Sequence, residues 1–273
     1  MLPPRVVIFT AVHRELLDTR SDLILAALAE IERQRVPLVL STMGTRAQLE
    51  LFRRQIGHGH PFLTEHGGGL FIPDGYFALH LEGAKRIGRY FCVPFGRSHA
   101  DATAAVEEIA AEAGASVVRY AEMSTPAVVR NTGKSLREAE VSRQREFSER
   151  FFFVGNVEAA SPRFVQIAQK LNWKCRLGDP FCELYSGNDE ACAVRHLMSV
   201  YRKALRSRLR SVAIGCAAED VSLLSAADHA VVLPHNGNRF DPALASHLSR
   251  AERCDTPGAA GWSEAVARIL QTR

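Results

Sequence analysis

Residues 6–18 read VVIFTAVHRELLD, an apolar run of β-branched and aromatic residues that passes directly into polar side chains. The run Val6–Thr10 predicts a buried strand. Beyond it, amphipathic helical patterns at Asp22–Arg33 and Thr45–Gln55 enclose a second short apolar run, Pro37–Ser41. Strands that alternate with helices in this way are typical of βαβ units, so the N-terminal part predicts an α/β fold with a parallel sheet.

The same alternation returns near the C-terminus, where the apolar runs Ser211–Gly215 and Ala230–Pro234 flank a helical pattern. The middle of the chain departs from this rhythm, with strands and helices in an order that suits a separate inserted unit. We therefore expect a core domain built from residues 1–83 and 188–273, and an α/β cap domain over residues 84–187.

The composition is that of an ordinary globular protein, with 47% hydrophobic and 23% charged residues among 273. The net charge is +4 and the arginines are spread along the chain, so nucleic acid is not expected as a partner. A small phosphorylated or carboxylated ligand suits this charge equally well. No apolar run reaches the length of a membrane span, and the N-terminus lacks the pattern of a signal peptide. A cytoplasmic protein with no membrane partner is therefore expected, and its six cysteines, which include no CxxC pair, are expected to be reduced.

Several segments, in chain order, resemble motifs of the haloacid dehalogenase (HAD) phosphatases. Residues 6–18 are similar to the first motif, Leu40-Ser41-Thr42 lies where the second motif has its phosphate-binding hydroxyl, and residues 61–73 look like a Glu-Asn-Gly-Gly strand and turn. Further segments resemble the mannosyl-3-phosphoglycerate phosphatase branch: residues 145–152, 187–201 and 261–266. The resemblance implies an α/β, HAD-like Rossmannoid core with a parallel sheet and an inserted α/β cap domain.

The resemblance also implies that the catalytic motifs are altered in this chain. The family's first motif carries a nucleophilic aspartate and, two residues on, an aspartate that acts as acid and base; these positions are Ala11 and His13 here. The lysine of the third motif corresponds to Glu190, and the first metal-binding aspartate of the fourth motif corresponds to Cys216. A methyl group cannot form an acyl phosphate, and a carboxylate at position 190 repels a phosphate dianion. The site for the magnesium expected in the family is therefore degraded.

Polar side chains at neighbouring strand ends suggest two other kinds of chemistry. His13, Cys216, Glu219 and Asp220, together with Glu190, form a set that could bind zinc or another divalent metal. Cys216 could instead act as a nucleophile with His13 as its base. The alternative to both is a former catalytic pocket that keeps a hydrogen-bonded histidine and an inert, buried thiol.

Six further residues are candidates for binding a substrate or another anionic ligand: Ser41, Thr42, Glu65, His66, Arg143 and Arg145. The two hydroxyl residues either donate to an anion or cap the helix that starts near Thr45. The glutamate and the histidine precede three glycines, which also fits a tight turn. The two arginines either hold a carboxylate or phosphate or belong to an ordinary charged surface of the cap.

The sequence therefore predicts a HAD-fold homologue of mannosyl-3-phosphoglycerate phosphatase that lacks the catalytic aspartates and does not form an aspartyl phosphate. Its function would then be small-molecule binding, a regulatory role with a protein partner, or a reaction rebuilt around the altered residues. The alternative is a metal-dependent phosphatase that acts on mannosyl-3-phosphoglycerate or a related sugar phosphate.

Overall fold

The computed structural model describes residues 5–12, 21–155, 157–178, 181–235 and 239–271. Its strands are β1 (Val6–Ala11), β2 (Leu38–Ser41), β3 (Phe62–Thr64), β4 (Gly69–Pro73), β5 (Lys85–Ile87), β6 (Tyr90–Pro94), β7 (Ser116–Arg119), β8 (Ser148–Val154), β9 (Lys174–Arg176), β10 (Cys182–Tyr185), β11 (Arg210–Gly215), β12 (His229–Val232) and β13 (Glu252–Arg253). Its α-helices are α1 (Asp22–Arg33), α2 (Arg46–Gln55), α3 (His99–Ala113), α4 (Thr125–Thr132), α5 (Leu136–Ser142), α6 (Val157–Lys170), α7 (Glu190–Leu205), α8 (Val221–Ala226), α9 (Pro242–His247) and α10 (Gly258–Gln271). Within the described part of the chain, none of these helices combines the length and the apolar character that crossing a bilayer requires.

Nine strands of the described residues form one main sheet, in the order β13-β12-β11-β1-β2-β3-β4-β6-β5. The first six strands in this order pair in parallel. The last three continue the sheet in antiparallel fashion. The predicted α/β fold with a parallel sheet is confirmed.

The main sheet extends past the boundary predicted at residue 84. Strand β6 pairs with β4 along its whole length, from Pro94 opposite Gly69 to Tyr90 opposite Pro73, and β5 pairs with β6. Residues 85–94, which were assigned to the cap from the sequence, therefore belong to the main sheet. Residues 99–185, called the insert below, form the separate unit.

The insert has its own four-stranded sheet among the described residues, antiparallel and in the order β7-β8-β10-β9. Alternate residues of β8 face opposite sides of this sheet. Phe151 and Phe153 pack with residues of α3 and α6, while Phe152 lies on the other side with Phe181, at a ring separation of 5.9 Å. The insert thus buries apolar side chains on both faces of its sheet.

The central strand β1 explains why its sequence is apolar without interruption. Val6 and Ile8 belong to the core on the side of α1 and α10, whereas Val7, Phe9 and Ala11 belong to the core on the side of α7 and α8. A parallel strand covered by helices on both faces needs apolar residues at every position. The carboxyl ends of β1, β2 and β11 consequently meet at one edge of the sheet, where α7 also begins.

Candidate functional site

A cavity of about 210 Å³ opens at this carboxyl edge. The main sheet contributes the ends of β1 and β2. The rest of the core side is formed by the loop after β2, the first turn of α2, the first residue of α7 and the turn at 219–220. The insert contributes Lys134 and Arg150. The cavity therefore lies where the core and the insert face each other.

Two buried residues of the cavity, Ser41 and Glu190, are hydrogen bonded to each other. The Ser41 hydroxyl donates to Oε1 of Glu190, and both side chains are less than a tenth exposed. Glu190 is the first residue of α7, where the helix dipole stabilises a negative charge. The hydroxyl that the resemblance assigns to phosphate binding is thus engaged with a carboxylate, and Ala11 lines the same cavity with only a methyl group.

The hydroxyl of Thr42 also lines the cavity and accepts a hydrogen bond from the backbone nitrogen of Gly44 at 3.0 Å. The N-cap of α2 is Thr45, whose hydroxyl accepts from the backbone nitrogen of Gln48, while the Gln48 side chain accepts from the backbone nitrogen of Thr45. The alternative that Ser41 or Thr42 caps this helix is therefore wrong, because Thr45 is the N-cap and forms the capping box with Gln48.

The turn after β11 is held by Asp220. Its Oδ2 accepts from the backbone nitrogens of Cys216 and Ala217, at 2.8 and 3.0 Å. Its neighbour Glu219 is exposed and lies 3.5 Å from Arg176 of the insert. One carboxylate therefore orders the turn, and the other reaches across to the insert.

The Cys216 thiol is buried, at 1% exposure, and its sulfur lies 3.4 Å from Nδ1 of His235. The sequence predicted a pair between Cys216 and His13, but His13 lies outside the described residues. The neighbouring histidine that the structure does place is His235, which follows β12. No pattern in the sequence pointed to it, since its proximity arises from the pairing of β11 with β12.

The side chains of the cavity do not fit a magnesium ion. No group of three histidine, cysteine, aspartate or glutamate side chains in the described ranges lies close enough to hold a metal. Magnesium requires several hard oxygen ligands in near-octahedral geometry. Here Glu190 accepts from a hydroxyl, Glu219 pairs with an arginine, Asp220 accepts from the backbone, and the side chain of Ala11 carries no oxygen.

Glu65 joins the core to the insert. It is fully buried, and its carboxylate accepts from the backbone nitrogens of Glu146 and Phe147 at 2.8 and 3.0 Å and from the hydroxyl of Ser148. Its backbone has a φ of 50° and continues through a turn in which Gly67 lies against the start of α7. A Cβ at Gly67 would come within 2.5 Å of the backbone nitrogen of Glu190, so only glycine fits there.

His66, the next residue, stacks on Tyr185 of the insert with ring centroids 4.6 Å apart. Its Nε2 lies 3.5 Å from Glu183. The structure places both His66 and Glu65 at the contact between core and insert rather than along the wall of the cavity. Their positive φ angles fit the tight turn that the three glycines suggested, and their contacts with the insert were not predicted.

Arg145, predicted as a ligand-binding residue, is buried between two carboxylates. It donates to Glu183 and to the Ser148 hydroxyl, and its Nε lies 3.6 Å from Glu65. It also donates to the carbonyl of Met43, a residue of the cavity, at 3.3 Å. Arg145 thus lies behind the cavity wall, where it contacts a wall residue but does not line the cavity itself.

Glu183 is shared between two arginines. Arg150 donates from Nε to its Oε2 at 3.3 Å, and the two residues face each other across β8 and β10. Burial by itself would raise the pKa of Glu183, but Arg145 and Arg150 outweigh it and hold that pKa well below its usual range. Burial and the neighbouring Arg145 lower the pKa of Arg150.

Arg143, the other arginine predicted to bind a ligand, makes its contacts inside the insert. It donates to the Thr125 hydroxyl at 3.3 Å and to the carbonyl of Ala121 at 3.2 Å. The cationic residues that do line the cavity are Arg150 and Lys134. Arg150 was not singled out from the sequence, because only the pairing of β8 with β10 and the placement of the insert bring it to the cavity.

No family model matches the chain. It is 26% identical over 267 residues, 97% of each chain, to a glucosyl-3-phosphoglycerate/mannosyl-3-phosphoglycerate phosphatase of Methanococcoides burtonii. A protein of the same description from Persephonella marina is also 26% identical, over 269 residues and again 97% of each chain. Among solved structures, a haloacid dehalogenase-like hydrolase from Bacteroides thetaiotaomicron superposes with a TM-score of 0.64 at 18% identity, and covers 97% of this chain and 99% of that one.

These similarities run through both the core and the insert, and the solved structure shares the arrangement of the two. The fold and the relatives agree with the family resemblance that was drawn from the sequence. The chain has the fold of a haloacid dehalogenase-like hydrolase and is similar over nearly its whole length to glucosyl-3-phosphoglycerate/mannosyl-3-phosphoglycerate phosphatases.

Proposed function

We propose that this protein binds a small hydroxylated carboxylate in the cavity and does not hydrolyse phosphate esters through an aspartyl phosphate. The observation that carries the proposal is the hydrogen bond between Ser41 and Glu190 beside Ala11. The family's nucleophile has no counterpart there. A buried carboxylate lies where a cation would have to neutralise the phosphate.

The remaining groups of the cavity suit hydroxyl and carboxylate groups. Glu190, Thr42 and Gln48 offer acceptors and donors for the hydroxyls of a sugar. Lys134 and Arg150, on the insert, offer cations for a carboxylate. Mannosylglycerate, which remains when the phosphate is removed from mannosyl-3-phosphoglycerate, has both kinds of group.

Two measurements on the same preparation test the proposal. Isothermal titration with mannosylglycerate is expected to show saturable binding. Phosphate release from mannosyl-3-phosphoglycerate with magnesium, manganese or zinc is expected to stay at the level of the protein-free control. Release at an ordinary enzymatic rate, on the order of 1 s⁻¹ or faster, would overturn the proposal.

A second candidate function is a metal-dependent phosphatase that acts on mannosyl-3-phosphoglycerate or a related sugar phosphate through direct attack by water. The relatives that match 97% of this chain carry that activity in their descriptions, which is the observation that favours it. The donor set of the cavity argues against it, because the carboxylates there are engaged elsewhere. The phosphate-release measurement separates the two functions.

A further inference from the structure

A second cavity, of about 390 Å³, lies near the opposite, amino edge of the main sheet. Two lining residues show this position. His58 donates from Nε2 to the carbonyl of Leu38, the first residue of β2. Pro73 is the last residue of β4, which runs antiparallel to β3 and therefore ends at the amino edge of the parallel strands. We call it the basic pocket, and its charged and polar walls are formed by Arg53, Arg54, His58, Asp74, Arg89 and Tyr90. A volume of this size is typical of small-molecule sites, which span about 300–1,000 Å³.

Arg53 is a buried cation with neutral partners. It is 4% exposed and donates to Nδ1 of His58 at 2.9 Å, to the Tyr90 hydroxyl at 2.8 Å and to the carbonyl of His60 at 2.8 Å. Its guanidinium also lies 4.0 Å from the centre of the Phe62 ring. None of the ion pairs found among the described residues includes Arg53, so its charge is not compensated by a carboxylate in contact.

His58 adds no charge to the basic pocket. One of its ring nitrogens accepts from Arg53 and the other donates to Leu38, which fixes the neutral form. Burial, and then the charge of Arg53, lower the pKa of His58 to about 3.

Two further arginines present their charge at the mouth of the basic pocket. Arg54 and Arg89 are exposed. Arg54 lies 3.6 Å from Glu50, a carboxylate that already pairs with another arginine at 3.0 Å, and Arg89 donates to the Tyr90 hydroxyl at 3.0 Å. Asp74 is the carboxylate of the wall, and it is paired with Arg86 at 2.8 Å. Three guanidinium groups therefore exceed the negative charge of the wall, even after the partial negative charge of the nearby C-terminus of α2 is included.

We propose that the basic pocket is a second ligand site, which binds the phosphate group of a small phosphorylated compound. Guanidinium groups hold phosphate oxygens in bidentate fashion. Arg54 and Arg89 would contact the phosphate, and the buried charge of Arg53 would supply attraction from behind. The site is separate from the cavity at the carboxyl edge, and α2 runs between them, from Gln48 at one to Arg54 at the other.

Titration calorimetry with inorganic phosphate and with glycerol 3-phosphate tests this site. The double substitution Arg54→Ala/Arg89→Ala is expected to weaken binding of both compounds by roughly ten-fold or more, since two charge-assisted contacts are lost. Both residues are exposed, so the variant should fold, which its thermal melting curve checks. The matched control Arg33→Ala/Arg137→Ala removes the same charge from exposed residues elsewhere and is expected to leave binding within about two-fold.

A third variant, Lys134→Ala, locates the bound phosphate. It alters the cavity at the carboxyl edge and is expected to leave phosphate binding unchanged. The proposal is overturned if Arg54→Ala/Arg89→Ala binds phosphate as the natural protein does, if the control loses as much affinity, or if only Lys134→Ala weakens binding.

Discussion

Charged residues occur both at the junction between core and insert and in the cavity beside it, but they differ in burial. At the junction, Glu65, Arg145 and Glu183 are almost fully buried and contact one another or the backbone. In the cavity, Lys134 is partly exposed and Glu219 is exposed. Burying a charge is costly unless it is paired, so the junction has to be satisfied internally, whereas charges on a cavity wall can meet water or a ligand.

This difference shows that the junction and the cavity have different roles in the fold. The junction positions the insert over the carboxyl edge of the sheet, and its pairing does not depend on which reaction takes place there. The cavity has exposed charged residues as well as the buried, hydrogen-bonded pair of Ser41 and Glu190, so its composition can differ while the junction and the fold stay the same.

The largest expected effect comes from breaking the junction. Arg145→Ala leaves Glu65 and Glu183 buried with less compensation, and should lower the free energy of unfolding by about 3–5 kcal/mol. Denaturation in urea measures it. Arg143→Ala, which removes two hydrogen bonds to neutral acceptors inside the insert, is the control and should cost about 1–2 kcal/mol. If both variants lose the same free energy of unfolding, the buried charges of the junction contribute no more to stability than hydrogen bonds elsewhere in the insert.

The second prediction concerns the stability of the fold at low pH. Arg145 and Arg150 hold the folded-state pKa of Glu183 below its usual value of 4.5 against the effect of burial. A depressed carboxyl pKa contributes stability that is fully present above the unfolded-state value and is lost as the pH falls through the folded-state value. Stability should therefore decline below about pH 4.5, and it should decline less steeply in Glu183→Gln, which cannot take up that proton. Parallel curves for the two proteins in urea denaturation from pH 7 to pH 3 would contradict this.

The central elements could be predicted from the sequence because their pattern is local. A continuous apolar run produced β1, and the helix predicted over Asp22–Arg33 has the bounds of α1. The edge strand β5 was not predicted, since Lys85, Arg86 and Ile87 have no alternation and little burial. The boundary at residue 84 was misplaced because the pairing of β6 with β4, and of β5 with β6, could not be predicted from the sequence.

Some residues of the candidate site could be predicted from the sequence and others could not. Ser41 and Glu190 were singled out by their place in motifs, and the structure brings them together. Arg150 was missed because its position depends on its register opposite Glu183, which only the folded insert defines. Arg143 and Arg145 look alike in the sequence, and tertiary packing alone places one in the insert and the other at the junction.

A third, smaller effect tests the cavity. Lys134→Ala should weaken the binding of mannosylglycerate by about ten-fold, because one charged contact to the ligand carboxylate is lost. The free energy of unfolding should change by less than about 1 kcal/mol, since the side chain is partly exposed. Lys170→Ala, an exposed lysine on α6, is the control. A loss of stability without a loss of affinity would assign Lys134 to the junction instead.

The smallest expected effect tests the proposal that the cavity does not support phosphate-ester hydrolysis. Ala11→Asp/His13→Asp places aspartates at the two positions that the resemblance assigns to the first motif, and the variant should release no phosphate from mannosyl-3-phosphoglycerate with magnesium. Glu190 still opposes the phosphate dianion, and Cys216 still offers magnesium no oxygen. Adding Glu190→Lys and Cys216→Asp should produce measurable release if the junction holds the insert in a competent position, with circular dichroism as the check on folding. Turnover by the double variant alone would show that the cavity can bind phosphate and a metal ion with Glu190 and Cys216 in place. The proposed difference between the junction and the cavity would then rest on residues 11 and 13 only.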